Sequence, residues 1–393
     1  MKTRMTHTSM RGMSLIELMV ALLIGTILIL GVVQIFSASR AAYQLSEGLA
    51  RTQENSRFAM DYLQRDLRMA GHFGCVNDQA HVRQSPSGLT TTFGATPHPA
   101  LQFDVSIQGY EANGTGPGTT VVLAETPTTG STAFTPELPA QIAAATGNRI
   151  AGSDIVVLRY LAPEGVPVTA ISGSAATPVI QFDGARWSVL QSGVSNPGLF
   201  GIADCMSATV FQANAVDGNG GAVTAGPAPN NATEFSSVFT SGQAMLYRAE
   251  SVVYYVGLNA ESRPSLYRLR FTAAPNGALG SAPEELVEGI ENMQILYGQD
   301  RVLTASSAPT GFIDAQNTAA AVESSVTPAA EGWRRVGAVQ LGFVAASPAR
   351  AASLQATATL PMSMGVKFQT PSDGRYRSVY QTTIAVRNRL YGN

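Results

Sequence analysis

Residue types that bind metals or carry nucleophilic chemistry are scarce in this 393-residue chain, which has only two cysteines, four histidines and two tryptophans. His7, His72, His81 and His98 are scattered, so neither a metal set nor a histidine-based triad assembles from their spacing. His72 and His81 flank Cys75, but a fourth ligand is missing. Gly114-Thr115-Gly116-Pro117-Gly118 is not a phosphate loop, because Pro117 removes a donor and no lysine follows. Asp217-Gly218-Asn219-Gly220 lacks the remaining acids of a calcium loop, and Asn113 and Asn231 fit the glycosylation pattern as readily by chance. Catalytic residues, metal ligands and cofactors are therefore all expected to be none. Charge is also sparse, at 13% of residues and −2 net, which argues against a broadly basic, nucleic-acid-coated surface.

Other absences are local. From Leu18 to Phe36 the only clearly polar side chains are Thr26 and Gln34. As a helix this run spans roughly 28 Å, close to the hydrocarbon thickness of a bilayer. Lys2, Arg4 and Arg11 precede it, with no acid before Glu17, which places the N-terminus on the cytoplasmic side. An ionised carboxylate at the mouth of such a run is costly unless paired. Three readings compete: a signal cut after the run near Ser37–Ala42, an uncut signal anchor that leaves Glu17 unexplained, and a cut before the run that retains it.

No proline occurs between Met13 and Pro86, and beyond Phe36 the chain turns amphipathic. Leu45, Leu49, Thr52, Ser56, Ala59, Leu63, Leu67 and Ala70 follow three- and four-residue steps, and Glu47/Arg51 and Asp61/Arg65 are helix-favouring pairs. Gly71 is a natural stop. The spacing predicts one helix from Met13 to about Ala70, roughly 85–90 Å long, with Gly25, Gly31 and Gly48 as weak points.

Arg11-Gly12-Met13-Ser14-Leu15-Ile16-Glu17 resembles the class III signal of type IV prepilins and type II secretion pseudopilins, with Met13 where that family usually has Phe. The resemblance implies a membrane peptidase that cuts after Gly12 and methylates the amine of Met13. It also implies that Glu17 pairs with the amine of a neighbouring subunit and so sets register, since desolvation offsets much of such a pair's gain.

After Gly71, turn formers separate β-like segments. Leu101–Ile107 alternates like a half-buried strand. Further strands are expected at Thr120–Leu123, Asp154–Tyr160, Val179–Phe182, Ala208–Gln212, Val252–Val256, Leu266–Phe271, Val336–Phe343 and Ser378–Val386, with a short helix starting at Pro283. Gln84–Pro99, Gly109–Gly118, Val216–Glu234 and Thr304–Thr327 read as long loops. The distal part is either two β-rich lobes or one elaborated lobe. In an oxidising compartment Cys75 and Cys205 are expected to pair, closing a loop of about 130 residues. Arg375, Arg377, Arg387 and Arg389, interleaved with Tyr376, Tyr380 and Tyr391 and with Arg334 and Arg335 nearby in pattern, could line a groove for single-stranded DNA. Strand-edge and solvent-face arginines are the plainer reading.

Val252–Gly257, Ser265–Arg268, Glu285–Gly298 and Thr383–Arg389, in that order after a prepilin-like signal, resemble the PilW-type minor pilins; 82–239 carries no recognised motif. The resemblance implies an α+β, pilin-like fold. In it a leader (1–12) precedes a transmembrane or filament-core helix (13–36), its amphipathic continuation (37–71) and a mainly antiparallel β-rich domain (72–393). It further implies a subunit of the inner membrane and then of a pilus tip or priming complex. The implied partners are other minor pilins, the major pilin, the prepilin peptidase, the inner-membrane assembly platform and, before assembly, membrane lipid; a DNA or surface ligand is left open. A type II secretion pseudopilin, or a signal-anchored periplasmic adhesin or enzyme, would share parts of this pattern.

Overall fold

The structure, a computed structural model, describes residues 12–76, 88–94, 97–130, 133–226, 235–304, 307, 309–351 and 360–389. Residues 1–11, His81, Asn231 and Tyr391 lie outside them. Helix α1 runs unbroken over Leu15–Met69, about 80 Å at 1.5 Å per residue. No residue from 12 to 47 is buried. Packing begins at Gly48 and continues through Thr52, Ser56, Ala59, Leu63, Asp66 and Leu67, a stripe at three- and four-residue steps. Leu45 and Leu49, expected in that stripe, lie outside its buried part.

Beyond the helix the described residues form three sheets. The largest has eleven strands in the order β12 (Leu279–Glu288), β11 (Pro264–Ala273), β10 (Met245–Leu258), β7 (Leu199–Ala203), β8 (Ala208–Asp217), β9 (Ala222–Ala225), β6 (Thr177–Phe182), β5 (Ile155–Ser174), β2 (Ile107–Ala112) and β4 (Phe134–Thr135), while β1 (Leu89–Thr91) joins β8. Because β10 also pairs β5, six of these strands (β10, β7, β8, β9, β6 and β5) close into a ring. Its interior holds Val166, Ile180, Phe200, Phe211, Leu246 and neighbouring apolar side chains. Closure removes the exposed edges that a short sheet would otherwise present.

A second sheet runs β14 (Ile313–Asn317), β13 (Ile290–Asp300), β15 (Val336–Arg350) and β18 (Arg375–Ala385). A third joins β16 (Met362–Ser363), β17 (Val366–Gln369) and β3 (Thr120–Val122). Among the described residues only β1–β8 and β17–β3 pair in parallel. The main core lies between α1, β10, β13 and β15, where Leu63, Leu67, Tyr254, Met293, Trp333 and Phe343 meet.

Several expectations need correction. Leu101–Ile107 is not a strand up to Ile107, where β2 begins: the backbone before it curls, with Phe103 N donating to Leu101 O and Val105 N to Gln102 O. The buried guanidinium of Arg159 holds this curl by donating to the carbonyls of Pro99, Ala100 and Val105. Leu101, Phe103 and Val105 are still buried, so the alternation reports burial without a strand. Pro283 lies inside β12 and starts no helix. It stands opposite Leu269 on the edge strand, where its missing N–H is tolerated. Glu284, expected to favour a helix N-terminus, instead pairs across the ladder with Arg268 at 2.8 Å. The four expected loops are shorter than drawn, since β1, β2, β9, β14 and the helix Ala319–Ser325 occupy parts of them.

Candidate functional site: the helix and its seat

Ser14 caps α1. Its Oγ accepts from Glu17 N at 3.2 Å, and Glu17 Oε2 accepts from Ser14 N at 2.9 Å. This reciprocal pair is a capping box, and its signature, Ser14-Leu15-Ile16-Glu17, was legible in the sequence but is not part of the pairing argument above. Glu17 thus has a local partner within its own subunit, and it uses one carboxylate oxygen for it. Gly12, Met13 and Glu17 are all exposed ahead of or within the first turn.

The lower half of the helix is seated by polar contacts as well as by its apolar stripe. A Cβ at Gly48 would stand 3.1 Å from Ala351 Cβ and 3.2 Å from Ser347 Cβ, so this glycine marks close approach to β15 rather than weakness. Gly25 and Gly31 face open space, and the helix runs through all three. The buried hydroxyls of Thr52 and Ser56 donate back to the carbonyls of Gly48 and Thr52. Asn55 donates to Glu288 O at 3.0 Å. Asp66 accepts from Tyr254 OH at 2.5 Å and lies 3.5 Å from Arg268.

At the helix end Asn388 Nδ2 donates to Arg68 O at 2.9 Å, satisfying one of the carbonyls that every helix leaves open. Gly71 turns the chain with φ +77°, and a Cβ there would crowd Arg389 and Ser106. Four residues later Cys75 is bonded to Cys205, across 130 positions of sequence. His72, beside it, is within 2.9 Å of Leu161 O through Nδ1. The Asp217-Gly218-Asn219-Gly220 stretch is a hairpin turn in which Asp217 Oδ1 accepts from Gly220 N.

The arginines of the C-terminal strand do not form an exposed groove. Arg377 is buried and donates to Glu291 at 2.7 and 3.0 Å and to Asp373 at 2.7 and 2.6 Å. Arg389 is buried and donates to the carbonyls of Trp333 and Val336. Arg335 is likewise buried on the carbonyls of Val302, Thr304 and Ser307, and Arg334 pairs with Asp104 and Glu331. Arg375 lies 3.9 Å from Asp373, and Tyr380 packs half-buried against the main core. Of the expected DNA contacts among the described residues, Arg387 alone is exposed. These guanidiniums tie loops to strands, and they are not arranged to track a phosphate backbone.

Residues 253–388 match the family model of Type IV Pilus-assembly protein W. Residues 8–33 match the Prokaryotic N-terminal methylation motif. No curated protein and no solved structure matches the chain. The first match spans β11, β13, β15 and β18, the strands around the helix seat, and the second covers Gly12, Glu17 and most of the apolar run. Together they support a type IV pilus-related minor pilin that is membrane-anchored and interacts with other pilins and the prepilin peptidase.

Proposed function

We propose that this chain is held in the inner membrane by Leu18–Phe36 with its N-terminus cytoplasmic, is cut after Gly12, and then enters a priming or pilus-tip complex with other minor pilins. The major pilin lies below that complex and the inner-membrane platform drives its assembly. The observation that carries the reading is the division of α1: no residue from 12 to 47 is buried against the described residues, while the helix is locked into the β domain from Gly48 onward. A helix that is apolar on all sides from Leu18 to Phe36 and unburied there needs lipid or neighbouring helices around it. The bulk of the domain, with its closed six-stranded ring, favours the end of a filament, where no subunit must stack above it. The role is assembly, without catalysis.

Mass spectrometry of the mature protein tests the first step. The expected N-terminus is N-methylated Met13; an intact start at Met1 or Lys2 would sink the pilin reading. Immunogold label spread evenly along shafts would count against the tip position. Loss of export of a secreted enzyme on deletion, with pili unchanged, would select the secretion-system pseudopilin instead.

A further inference from the structure

A cleft of about 590 Å³ opens between the outer side of α1 and the strands β5, β10 and β11. Five arginines reach it against three carboxylates, so it carries a surplus of positive charge in a chain whose net charge is −2. The carboxylates are already engaged. Asp66 is held by Tyr254 and Arg268, Glu250 by Arg248 and Arg270, and Asp61 stands 4.0 Å from Arg57. Arg65 and Arg68 are exposed and have no ion-pair partner among the described residues. The inner wall is fixed: Arg248 is buried and donates to the carbonyls of Gln191 and Ser192, so the cleft is built and does not collapse onto its own charges.

An aromatic strip leads into it. Phe58 and Tyr62 stand 49% and 41% exposed on α1. They share a helix face with Arg65 at four- and three-residue steps. Large exposed aromatics next to unpaired arginines are the residue types that anchor protein interfaces.

We propose that this cleft receives a carboxylate side chain of an adjoining pilin subunit, with the apolar residues beside that carboxylate resting on Phe58 and Tyr62. Arg65 and Arg68 both line the cleft, and a carboxylate entering it can accept paired hydrogen bonds from either guanidinium. An extended polyanion fits poorly, because Asp61 and Glu284 are exposed at the rim and would repel its next charges. The pairing sets which neighbour docks against the distal half of α1, as charge complementarity does at interfaces generally.

The identity of the partner rests on the pilin reading above; the binding chemistry does not. The test uses the full-length protein in a zwitterionic detergent and a fluorescent, otherwise uncharged peptide with a single Glu beside Phe. Inorganic phosphate and a single-stranded oligothymidylate serve as competing probes. The expected result is saturable, salt-sensitive peptide binding that weakens at least tenfold in Arg65→Gln/Arg68→Gln. It should weaken severalfold in Phe58→Ala/Tyr62→Ala and stay unchanged in Arg51→Gln, whose side chain pairs with Glu47 elsewhere on the helix. The thermal midpoint of the double arginine variant should match wild type. Absence of peptide binding, equal binding by the double variant, or stronger binding of oligothymidylate or phosphate would each overturn the proposal. If binding fails while Met13 is N-methylated, this inference alone falls; an unprocessed terminus with intact binding removes the pilin reading alone.

Discussion

Asp154 places a carboxyl group where water does not reach. It accepts from Ala112 N at 3.0 Å and Ile295 N at 2.9 Å, and so joins β2 to β13 across two sheets. Burial pushes its pKa up to about 8, against the help of those two hydrogen bonds. Free aspartate titrates near ~3.9, so the folded state holds this proton more tightly than the unfolded chain. Stability from the group is therefore fullest below about pH 4 and declines as pH rises to about 8. The thermal midpoint of wild type should fall between pH 5 and pH 8 more steeply than that of Asp154→Asn; parallel curves for the two would refute the assignment. At the low end the amide should cost about 1–3 kcal/mol, because its NH₂ meets a backbone donor. Arg377 makes the opposite case, a buried cation with two carboxylates. Removing it in Arg377→Met strands Glu291, leaves Asp373 only its contacts with Arg375, and should cost about 3–5 kcal/mol by urea unfolding. Lysine at this site should rescue little, since it cannot bond two carboxylates in fork geometry. Neither burial was readable beforehand: an arginine on a strand carries the same letters whether it faces solvent or a pair of acids. The capping box of Ser14 and Glu17, by contrast, is written in four consecutive residues.

At the scale of elements, α1 was the most legible part of the chain. Its period and its lack of proline specify a helix locally, and it ends at Met69 with Gly71 turning the chain. Strands such as β10, β11 and β15 were also visible as apolar, β-branched runs, although each extends beyond the residues that announce it. What local pattern could not carry is partnership. Leu101–Ile107 alternates yet is curled around Arg159, and Pro283 reads as a helix start until an edge ladder is present to accept it. The closed ring needs β10 to pair with both β5 and β7, a relation between distant segments with no local signature. Gly48 was misjudged for the same reason, since its neighbours on β15 lie some 300 positions away. Gly48→Leu should push the helix off Ser347 and Ala351, costing about 1–3 kcal/mol. Limited proteolysis should then cut α1 near residue 48 faster than in wild type; unchanged cleavage would mean the contact is slack.

For the whole molecule, two cores share one set of strands. The helix-bearing core and the ring core are both threaded by β5 and β10, so loosening one loosens the other. The Cys75–Cys205 bond spans the chain between the end of α1 and the turn that joins β7 to β8. On the chain-entropy account a loop this long is worth roughly 4–5 kcal/mol. Cys75→Ser/Cys205→Ser should lower the urea midpoint accordingly, and reductant should do the same to wild type but not to the variant.

In the proposed filament the subunit is also a mechanical link. A pull applied between α1 and the strands after Cys205 runs through the sulfur atoms and bypasses everything between them. The enclosed stretch, 130 positions from end to end, cannot lengthen while the bond holds. At 3.3–3.6 Å per residue that withholds on the order of 430–470 Å of extensible chain. Under such a load the subunit can give way only in its C-terminal part, and the strands around the helix seat set its yield point.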